Sequence, residues 1–327
     1  LLKFDPDFVG TSPSGETPAS IRSVYNLPST GGSGIIAIVD AFHYATAEND
    51  LNVFSSAFGL PPCTVANGCF KVITLGSRPR SNCGWAQEAA LDIEWAHAMA
   101  PNAKIVLVEA ASNSFANLFA AVDVAKALPG VTQVSMSWGG SEFSSEADND
   151  SLHLSQAGVV FFASSGDTGG ATIYPGTSPN VVSAGGTTIH RDKNGNFTGE
   201  TGWSGSGGGP SKYEPRPSYQ NVVSGIVGNA RGVPDFSFDA DPNSGVSVYD
   251  STRCQGLSGW LVFGGTSVSS PSLAGIVNLA GGATSSAAEL GTIYANLGNA
   301  SDFRDITSGT AGRFVSEAAS RPRFVRS

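Results

Sequence analysis

In the stretch FGGTSVSSPSLAGIVNL, residues 263–279, two glycines lead directly into a mostly apolar, helix-like run, and the rest of the chain is interpreted around it. Gly264 and Gly265 lack a β-carbon, so they allow a tight turn and the close approach of a substrate. Ser267 then falls in the first turn of the predicted helix, where unpaired N–H groups and the helix dipole can stabilise an oxyanion. Pro271 is predicted to fit the same turn. Two interpretations stay open here: Ser267 is a catalytic nucleophile, or it caps a buried helix.

The composition is that of one large domain with few charges. The 327 residues carry a net charge of −9 and 14% charged residues, against about 25% in typical soluble proteins. This acidic balance argues against a nucleic-acid partner, because nucleic-acid binding needs clustered Lys and Arg. No apolar run approaches the ~20 residues of a membrane span, and the first residues lack the regions of a signal peptide. We therefore expect a secreted, extracellular mature form that has lost its leader, works as a monomer and has no membrane partner.

The four cysteines do not form the paired CxxC motifs of a zinc site. Disulfides in an oxidising compartment are the better interpretation. Cys63 and Cys69 bracket a short loop and can close it locally. Cys83 and Cys254 then remain as a long-range pair, so both pairings stand as hypotheses.

Strand-like and helix-like segments alternate along the first half of the chain. Short apolar runs such as GIIAIVDAF (34–42) and AKIVLVEAA (103–111) are typical of buried parallel strands, and WAQEAALDIEWAHAMA (85–100) is typical of a helix. This alternation predicts an α/β fold with a mostly parallel central sheet and helices on both faces. Residues 1–20, rich in Gly, Ser, Thr and Pro, are predicted to be an irregular surface arm, and residues 21–327 a single domain whose first helix starts at Ile21.

Two carboxylates lie four residues apart in the predicted helix at 85–100. Glu88 and Asp92 therefore share one helix face among apolar neighbours, where two like charges repel and burial adds to the cost. We expect the pair to share one proton. The alternative is an acidic helix face in contact with water.

A third acidic residue ends the apolar strand-like run VVFFASSGD. Asp167 alone fits an Asx-turn or a helix cap, but beside Ser267 it can donate a hydrogen bond to an oxyanion, provided that it is protonated. A serine nucleophile is usually activated by histidine. Structural roles are the better interpretation for all four histidines, none of which stands in the glycine-flanked HGTH-like setting of subtilisin-type proteases: His43, His97, His153 and His190.

Several motifs together resemble the sedolisins, or serine-carboxyl peptidases, and within them the bacterial kumamolisin branch. The resemblance runs from about Ile21 to Gly309 and is carried by GIIAIVDAF, GWAQEAALDIEWAHAMAPNAKIVLVEA, SMSWGGSE, SSGDTGG, VVSAGGTTI, GWSGSGGGPSKYE, RGVPDFSFDADP and GGTSVSSPS. It implies a subtilisin-like fold with Ser267 as nucleophile, Glu88 as general base and acid, Asp92 as the residue that orients Glu88, and Asp167 as oxyanion donor.

The same resemblance implies two binding sites. Ser137, Trp138 and Gly139 should form a strand edge to which an extended substrate adds its backbone. Sedolisins also carry a calcium site near the C-terminus, and DITSG here matches its first half, with the Asp305 carboxylate and the Ile306 carbonyl as ligands. The second half is not recognisable in this sequence. The family's N-terminal prodomain, a partner during maturation, is absent from the chain, as for a processed enzyme.

The sequence thus predicts an acid-active endopeptidase that acts on protein or peptide substrates. One alternative is a subtilisin-type Ser-His-Asp protease that uses Asp40, which ends a predicted strand. Another is an inactive homologue that keeps a peptide-binding groove. A neutral or alkaline pH optimum would favour the first alternative over the acid-active enzyme. Labelling of Ser267 by a peptide aldehyde would exclude the second.

Overall fold

Helices and strands alternate as predicted in a computed structural model that describes residues 3–4, 10–76, 80–301, 303–311 and 314–315. The α-helices in those residues are α1 (Pro18–Tyr25), α2 (Ala47–Ala57), α3 (Cys83–Met99), α4 (Phe115–Ala127), α5 (Ala147–His153), α6 (Ser224–Val227), α7 (Thr266–Leu279) and α8 (Ser286–Ala295). The strands are β1 (Lys3–Phe4), β2 (Ile35–Ala41), β3 (Phe70–Thr74), β4 (Lys104–Ala110), β5 (Val131–Met136), β6 (Gly140–Ser141), β7 (Val160–Ser164), β8 (Ile173–Tyr174), β9 (Val182–Arg191), β10 (Phe197–Gly202), β11 (Gly209–Pro215), β12 (Ala230–Val233), β13 (Phe236–Asp239), β14 (Val246–Cys254), β15 (Leu257–Gly264), β16 (Thr310–Ala311) and β17 (Phe314–Val315).

The central sheet is mostly parallel, which confirms the predicted fold class. Its strand order is β10-β9-β7-β5-β2-β4-β3, and β13 pairs with β9 beside this path. Only the β10–β9 pair among these is antiparallel. Parallel strands bring their carboxyl ends to one edge, and ligand sites of open α/β sheets lie there. The loops after β2, β5 and β7 therefore meet on one side of the molecule.

Helices cover both faces of the sheet, because neighbouring residues of each strand point to opposite sides. Ile36 and Ile38 of β2 belong to the core cluster that contains residues of α2, α3 and α7, whereas Ala37 and Val39 belong to the cluster under α4. Within the described residues, no helix combines the length and the apolar character needed to cross a membrane.

Helix α3 starts where its capping residue predicts. The Asn82 side chain accepts a hydrogen bond from the Trp85 N–H at 3.1 Å, which satisfies one of the unpaired donors of the first turn. The helix ends at Met99, two residues before Pro101. Both proposed disulfides are present, and the bond from Cys83 to Cys254 fixes the first residue of α3 to the end of β14.

The N-terminal residues differ from the predicted irregular arm. β1 pairs with β15, and isolated bridges join Gly10 to Trp260 and Glu16 to Val246, so these described residues lie against the β14–β15 hairpin. Helix α1 begins at Pro18 rather than Ile21, because Thr17 and Ser20 cap each other's backbone N–H groups.

Candidate active site

Helix α7 presents Ser267 at its second residue, as the sequence predicts. Gly265 precedes the helix with φ +106°, a conformation that favours glycine. A β-carbon on Gly264 would lie 2.4 Å from the Pro242 nitrogen, so this glycine allows a close approach of the chain's own backbone. Ser267 is fully buried, and its hydroxyl oxygen has no hydrogen-bond partner within the described residues. A serine that only capped the helix would use this oxygen to accept a backbone N–H.

Pro271 lies inside α7, in its second turn, which corrects the predicted place in the first turn. In a regular helix the N–H of residue 271 would bond to the carbonyl of Ser267, and proline has no N–H. The Ser137 hydroxyl lies 3.3 Å from that carbonyl oxygen. The proline therefore frees a backbone acceptor next to the nucleophile, and a side chain after β5 takes it.

The two carboxylates of α3 are buried at the point where α3 packs against α7. Asp92 Oδ1 accepts a hydrogen bond from the Ser137 hydroxyl at 2.8 Å. The single Ser137 proton is thus shared between Asp92 and the Ser267 carbonyl. Burial, followed by the charges of Asp40 and Glu88, raises the pKa of Asp92 well above its ordinary value, although the Ser137 hydrogen bond opposes the increase.

Asp40 adds a third buried carboxyl group to Glu88 and Asp92. It lies near the end of β2, and neither of its side-chain oxygens has a hydrogen-bond partner in the described structure. Burial and then the charge of Glu88 raise its pKa well above the ordinary value. Sequence reasoning considered Asp40 only as the aspartate of a Ser-His-Asp site, but the structure places it in the carboxyl cluster. The sequence feature that indicates a site residue here is its position at the carboxyl end of a central strand, where ligand sites of open α/β sheets lie.

Asp167 follows β7 and contacts the residue before the nucleophile. Its Oδ1 accepts hydrogen bonds from the Thr266 N–H and the Thr266 hydroxyl, both at 2.8 Å, and its Oδ2 has no partner among the described residues. Burial raises the pKa of Asp167 to about 6, even though the Thr266 hydrogen bonds lower it, and the charge of Glu88 adds to the increase. The carboxyl group is therefore protonated in mildly acidic solution, with Oδ2 free to carry the proton.

Residues 137–139 leave β5 and lead into β6 along the edge of the site. The side chains of Ser137 and Trp138 are buried, and the Trp138 indole N–H donates to the Val39 carbonyl at 2.9 Å. A β-carbon on Gly139 would lie 2.9 Å from the Tyr174 carbonyl oxygen, so the neighbouring backbone favours glycine there. A peptide at this edge would meet backbone atoms rather than these side chains, and the predicted substrate-binding role stays a prediction.

The histidines form hydrogen bonds away from Ser267. His43 Nδ1 lies 2.9 Å from Glu109 Oε2, and His97 Nε2 lies 2.9 Å from the Pro61 carbonyl oxygen. The other two approach Asp123 and Thr201: His153 and His190. Burial also lowers the pKa of His97, which favours its neutral form. These contacts favour the structural roles that the sequence predicts.

The described part of the predicted calcium site offers few ligands. Asp305 is exposed and Ile306 is buried, and the Gly202 N–H fixes the segment by donating to the Ser308 carbonyl at 2.8 Å. One carboxylate and one carbonyl fall short of the 6–8 oxygens that Ca²⁺ takes. Gly312 and the residues from 316 onward lie outside the described residues. The calcium site therefore stays a prediction.

Across the described residues, one group of three His, Cys, Asp or Glu ligand atoms lies close enough to share a metal: Cys63, Cys69 and His97. Its two cysteines are joined in a disulfide and cannot act as thiolate ligands.

Comparison with known proteins places these features among peptidases. Residues 73–309 match the model of the subtilase family. Kumamolisin from Bacillus sp. (strain MN-32) is 30% identical over 306 residues, covering 84% of this chain and 54% of kumamolisin. Sedolisin from Pseudomonas sp. (strain 101) is 37% identical over 143 residues, covering 36% of this chain and 23% of sedolisin. The chain thus spans about half of one relative and about a quarter of the other.

A solved structure shares the fold over nearly the whole chain. It is that of Pseudomonas sedolisin, a serine-carboxyl proteinase, in complex with two molecules of pseudo-iodotyrostatin. Its TM-score is 0.77 at 24% identity, and the match covers 95% of this chain and 94% of that protein.

Proposed function

Because this chain belongs to the subtilase family and its resemblance to the sedolisins is confirmed, we propose that it is an acid-active serine-carboxyl endopeptidase. The observation that carries the proposal is the arrangement at the start of α7. Asp167 binds the backbone and the side chain of Thr266 through one oxygen. Among the described residues its other oxygen has no partner, and neither has the hydroxyl of Ser267, the next residue after Thr266.

In the proposed reaction, Ser267 Oγ attacks the carbonyl carbon of the peptide bond while Glu88 takes its proton. The oxyanion accepts hydrogen bonds from the protonated Asp167 and from the backbone N–H of Ser267. When the C–N bond breaks, Glu88 gives the proton to the leaving amine. Water then attacks the acyl carbon, with Glu88 again as base. The bond from this carbon to Ser267 Oγ breaks, Glu88 returns the proton to Ser267 Oγ, and the acid product leaves.

Asp92 and Ser137 are assigned supporting roles. A raised pKa lets Asp92 hold a proton that it can donate to Glu88, which would orient the base and tune its basicity. The Ser137 hydroxyl contacts both Asp92 and the Ser267 carbonyl, so it connects α3, which carries the base, to the first turn of α7, which carries the nucleophile.

The need for acid follows from the two protonation states that this reaction requires. Asp167 must be protonated to donate, and with a pKa of about 6 it loses its proton as the pH rises through that value. Glu88 must be ionised to accept. The reaction therefore proceeds in a window that closes above about pH 6 on the alkaline side.

Secretion as a monomer and removal of a prodomain are part of the proposal. The two disulfides support an oxidising compartment, where such cross-links form and persist. Protein or peptide chains are the proposed substrates, bound in extended form along residues 137–139.

The test is a pH–rate profile on a denatured protein substrate. Ser267→Ala should abolish cleavage while circular dichroism stays unchanged. Glu88→Gln should be nearly as severe, because an amide cannot accept the serine proton, whereas Asp92→Asn should be milder. Turnover near the wild-type level in Ser267→Ala, or equal activity in the two carboxamide variants, would contradict the assignment. Failure of a peptide aldehyde to label Ser267 in wild type would point to an inactive peptide-binding homologue.

A further inference from the structure

A cluster of buried carboxyl groups lies behind β6 and β8, next to the predicted substrate edge. We call it the backing cluster: Glu146, which precedes α5, Asp150 within α5, and Glu214 in β11. All three are almost completely buried. None of them belongs to the proposed catalytic machinery.

Two members of the backing cluster bind each other directly. The carboxyl groups of Glu214 and Asp150 form a hydrogen bond, which requires that one of them carries a proton. Asp150 Oδ1 also accepts the hydroxyl proton of Tyr174 at 2.9 Å, and the Ser178 hydroxyl donates to the same carboxyl group. Asp150 is thus surrounded by donors, whereas Glu214 Oε1 has no partner in the described residues. This arrangement favours a protonated Glu214 that donates to an ionised Asp150.

The backing cluster is joined to the substrate edge through β8. Tyr174, whose hydroxyl binds Asp150, pairs with Gly140 of β6. The Tyr174 carbonyl oxygen lies 2.9 Å from the position of a β-carbon on Gly139, so the two segments pack backbone to backbone. Glu146 accepts the Phe143 N–H at 2.7 Å, which holds the turn directly after β6.

Little positive charge faces these carboxyl groups. Arg231 of β12 is the nearby cation, and both its terminal nitrogens bind Asp235 at 2.5–2.6 Å. The other titratable groups that face the cluster are acidic or phenolic: Glu142 after β6, Tyr174 of β8 and Tyr219 of the 3-10 helix Ser218–Val223. Burial raises the pKa of Glu214 to about 8, with the charges of Asp150 and Glu146 adding to it, and burial raises the pKa of Glu146 to about 7.

We infer that Glu214 and Asp150, sharing one proton, are positioning residues that hold β8 against the substrate edge at Gly139 and Gly140. Loss of the shared proton would leave two adjacent buried carboxylates, whose repulsion is relieved when α5 and β11 move apart and Asp150 leaves the Tyr174 hydroxyl. The edge then loses its support, and peptide binding weakens. This role rests on the proposed peptidase function, but the proton-dependent packing does not.

The direction of the pH effect follows from linkage. Both glutamates have raised pKa values in the folded protein, so the folded state holds protons that the unfolded state has already lost. Their contribution to stability is complete below the ordinary glutamate pKa of about 4.3. It is lost as the pH rises through about 7 for Glu146 and about 8 for Glu214.

Thermal melting between about pH 5 and pH 8, the range that spans both raised pKa values, tests the packing without any cleavage. The reference is Ser267→Ala, which prevents self-digestion, and Glu214→Gln is added to it because an amide keeps the donor to Asp150 and does not titrate. We expect the Tm of the reference to fall as the pH rises, and the fall to be clearly smaller with Glu214→Gln. Glu146→Gln should act in the same direction. The matched control is Asp148→Asn, exposed on α5, which should follow the reference.

Kinetics of the same changes in the active enzyme test the positioning role. KM of wild type should rise about twofold at about pH 8, where half of the Glu214 carboxyl groups have lost their proton, and about tenfold one pH unit higher. In Glu214→Gln this rise should be absent, while the alkaline limb of kcat stays where it is.

Equal Tm losses in the reference and in Glu214→Gln would overturn the inference. So would a KM that rises equally in wild type and variant. If neither the wild type nor any variant cleaves peptides, the proposed function is wrong. The melting curves would still show whether the backing cluster holds a proton.

Discussion

Replacing Asp167 by asparagine separates the two requirements for acid in the proposed reaction. The oxygen of the introduced amide can accept the Thr266 N–H and hydroxyl as Asp167 Oδ1 does, and its nitrogen takes the place of Oδ2 as a donor that does not titrate. The structure therefore predicts that Asp167→Asn keeps the local geometry. It should also keep measurable activity.

The size of the effect follows from the raised pKa of Asp167. At a pKa of about 6 the wild-type carboxyl is protonated in roughly nine molecules of ten at about pH 5, and in roughly one of ten at about pH 7. Wild-type kcat should thus fall about tenfold for each pH unit above about pH 6. In Asp167→Asn this limb should move upward by at least about one unit, because the donor is present at every pH.

Asp167→Ala is the control that removes the donor altogether. It should lower kcat on the order of 10²- to 10³-fold, the scale for one oxyanion-hole donor. It also removes the acceptor for two Thr266 hydrogen bonds, so a loss of about 1–3 kcal/mol in unfolding free energy is expected.

The assay is kcat on a chromogenic peptide, measured at several pH values on both sides of the pKa of Asp167, with urea unfolding measured in parallel. An alkaline limb that stays in place in Asp167→Asn would show that other carboxyl groups set it. An alanine variant as fast as wild type would show that backbone groups alone hold the oxyanion.

Three other features can be tested by substitution or metal removal. Replacing Cys83 and Cys254 by serine should lower the free energy of unfolding in urea titrations by up to ~5 kcal/mol, because this bond spans 171 residues. Replacing Cys63 and Cys69 by serine should lower it by only up to ~2 kcal/mol, because that bond spans 6 residues. Asp40→Asn removes a charge that raises the pKa of Asp92, so an NMR titration should give a lower pKa for the Asp92 carboxyl group than in wild type; an unchanged pKa would contradict this. If calcium is bound, a chelator should lower the Tm at the working pH, and an unchanged Tm would mean that this chain lacks the site.

Helix bounds are predicted best from the sequence where one continuous segment contains all the residues that determine the helix. Helix α3 is predicted at 85–100 and spans Cys83–Met99, because its apolar run and the following proline lie in one segment. The start of α1 was predicted at Ile21 instead of Pro18, although the TPAS sequence at 17–20 contains the capping residues that set it. The catalytic candidates were found by their motifs rather than by their contacts.

Apart from the Cys83–Cys254 pair, contacts between distant segments do not follow from such local patterns. Pro271 was placed in the wrong turn because nothing in its own segment shows that Ser137 takes over the freed Ser267 carbonyl. Asp150 and Glu214 lie far apart in the sequence, and each belongs to a residue type that is usually exposed to solvent. Their shared proton depends on how α5 and β11 pack, which no local pattern encodes.

The long disulfide also decides what a self-inflicted cut does to this protein. Any peptide bond between Cys83 and Cys254 lies inside a covalently closed ring of the chain, and this ring carries Glu88, Asp92 and Asp167 while Ser267 lies outside it. One nick within the ring leaves both pieces attached to each other. Molecules cut once inside this ring should therefore run at full length on a gel without reductant and fall into fragments with it, so that such damage during storage is invisible until the disulfide is reduced.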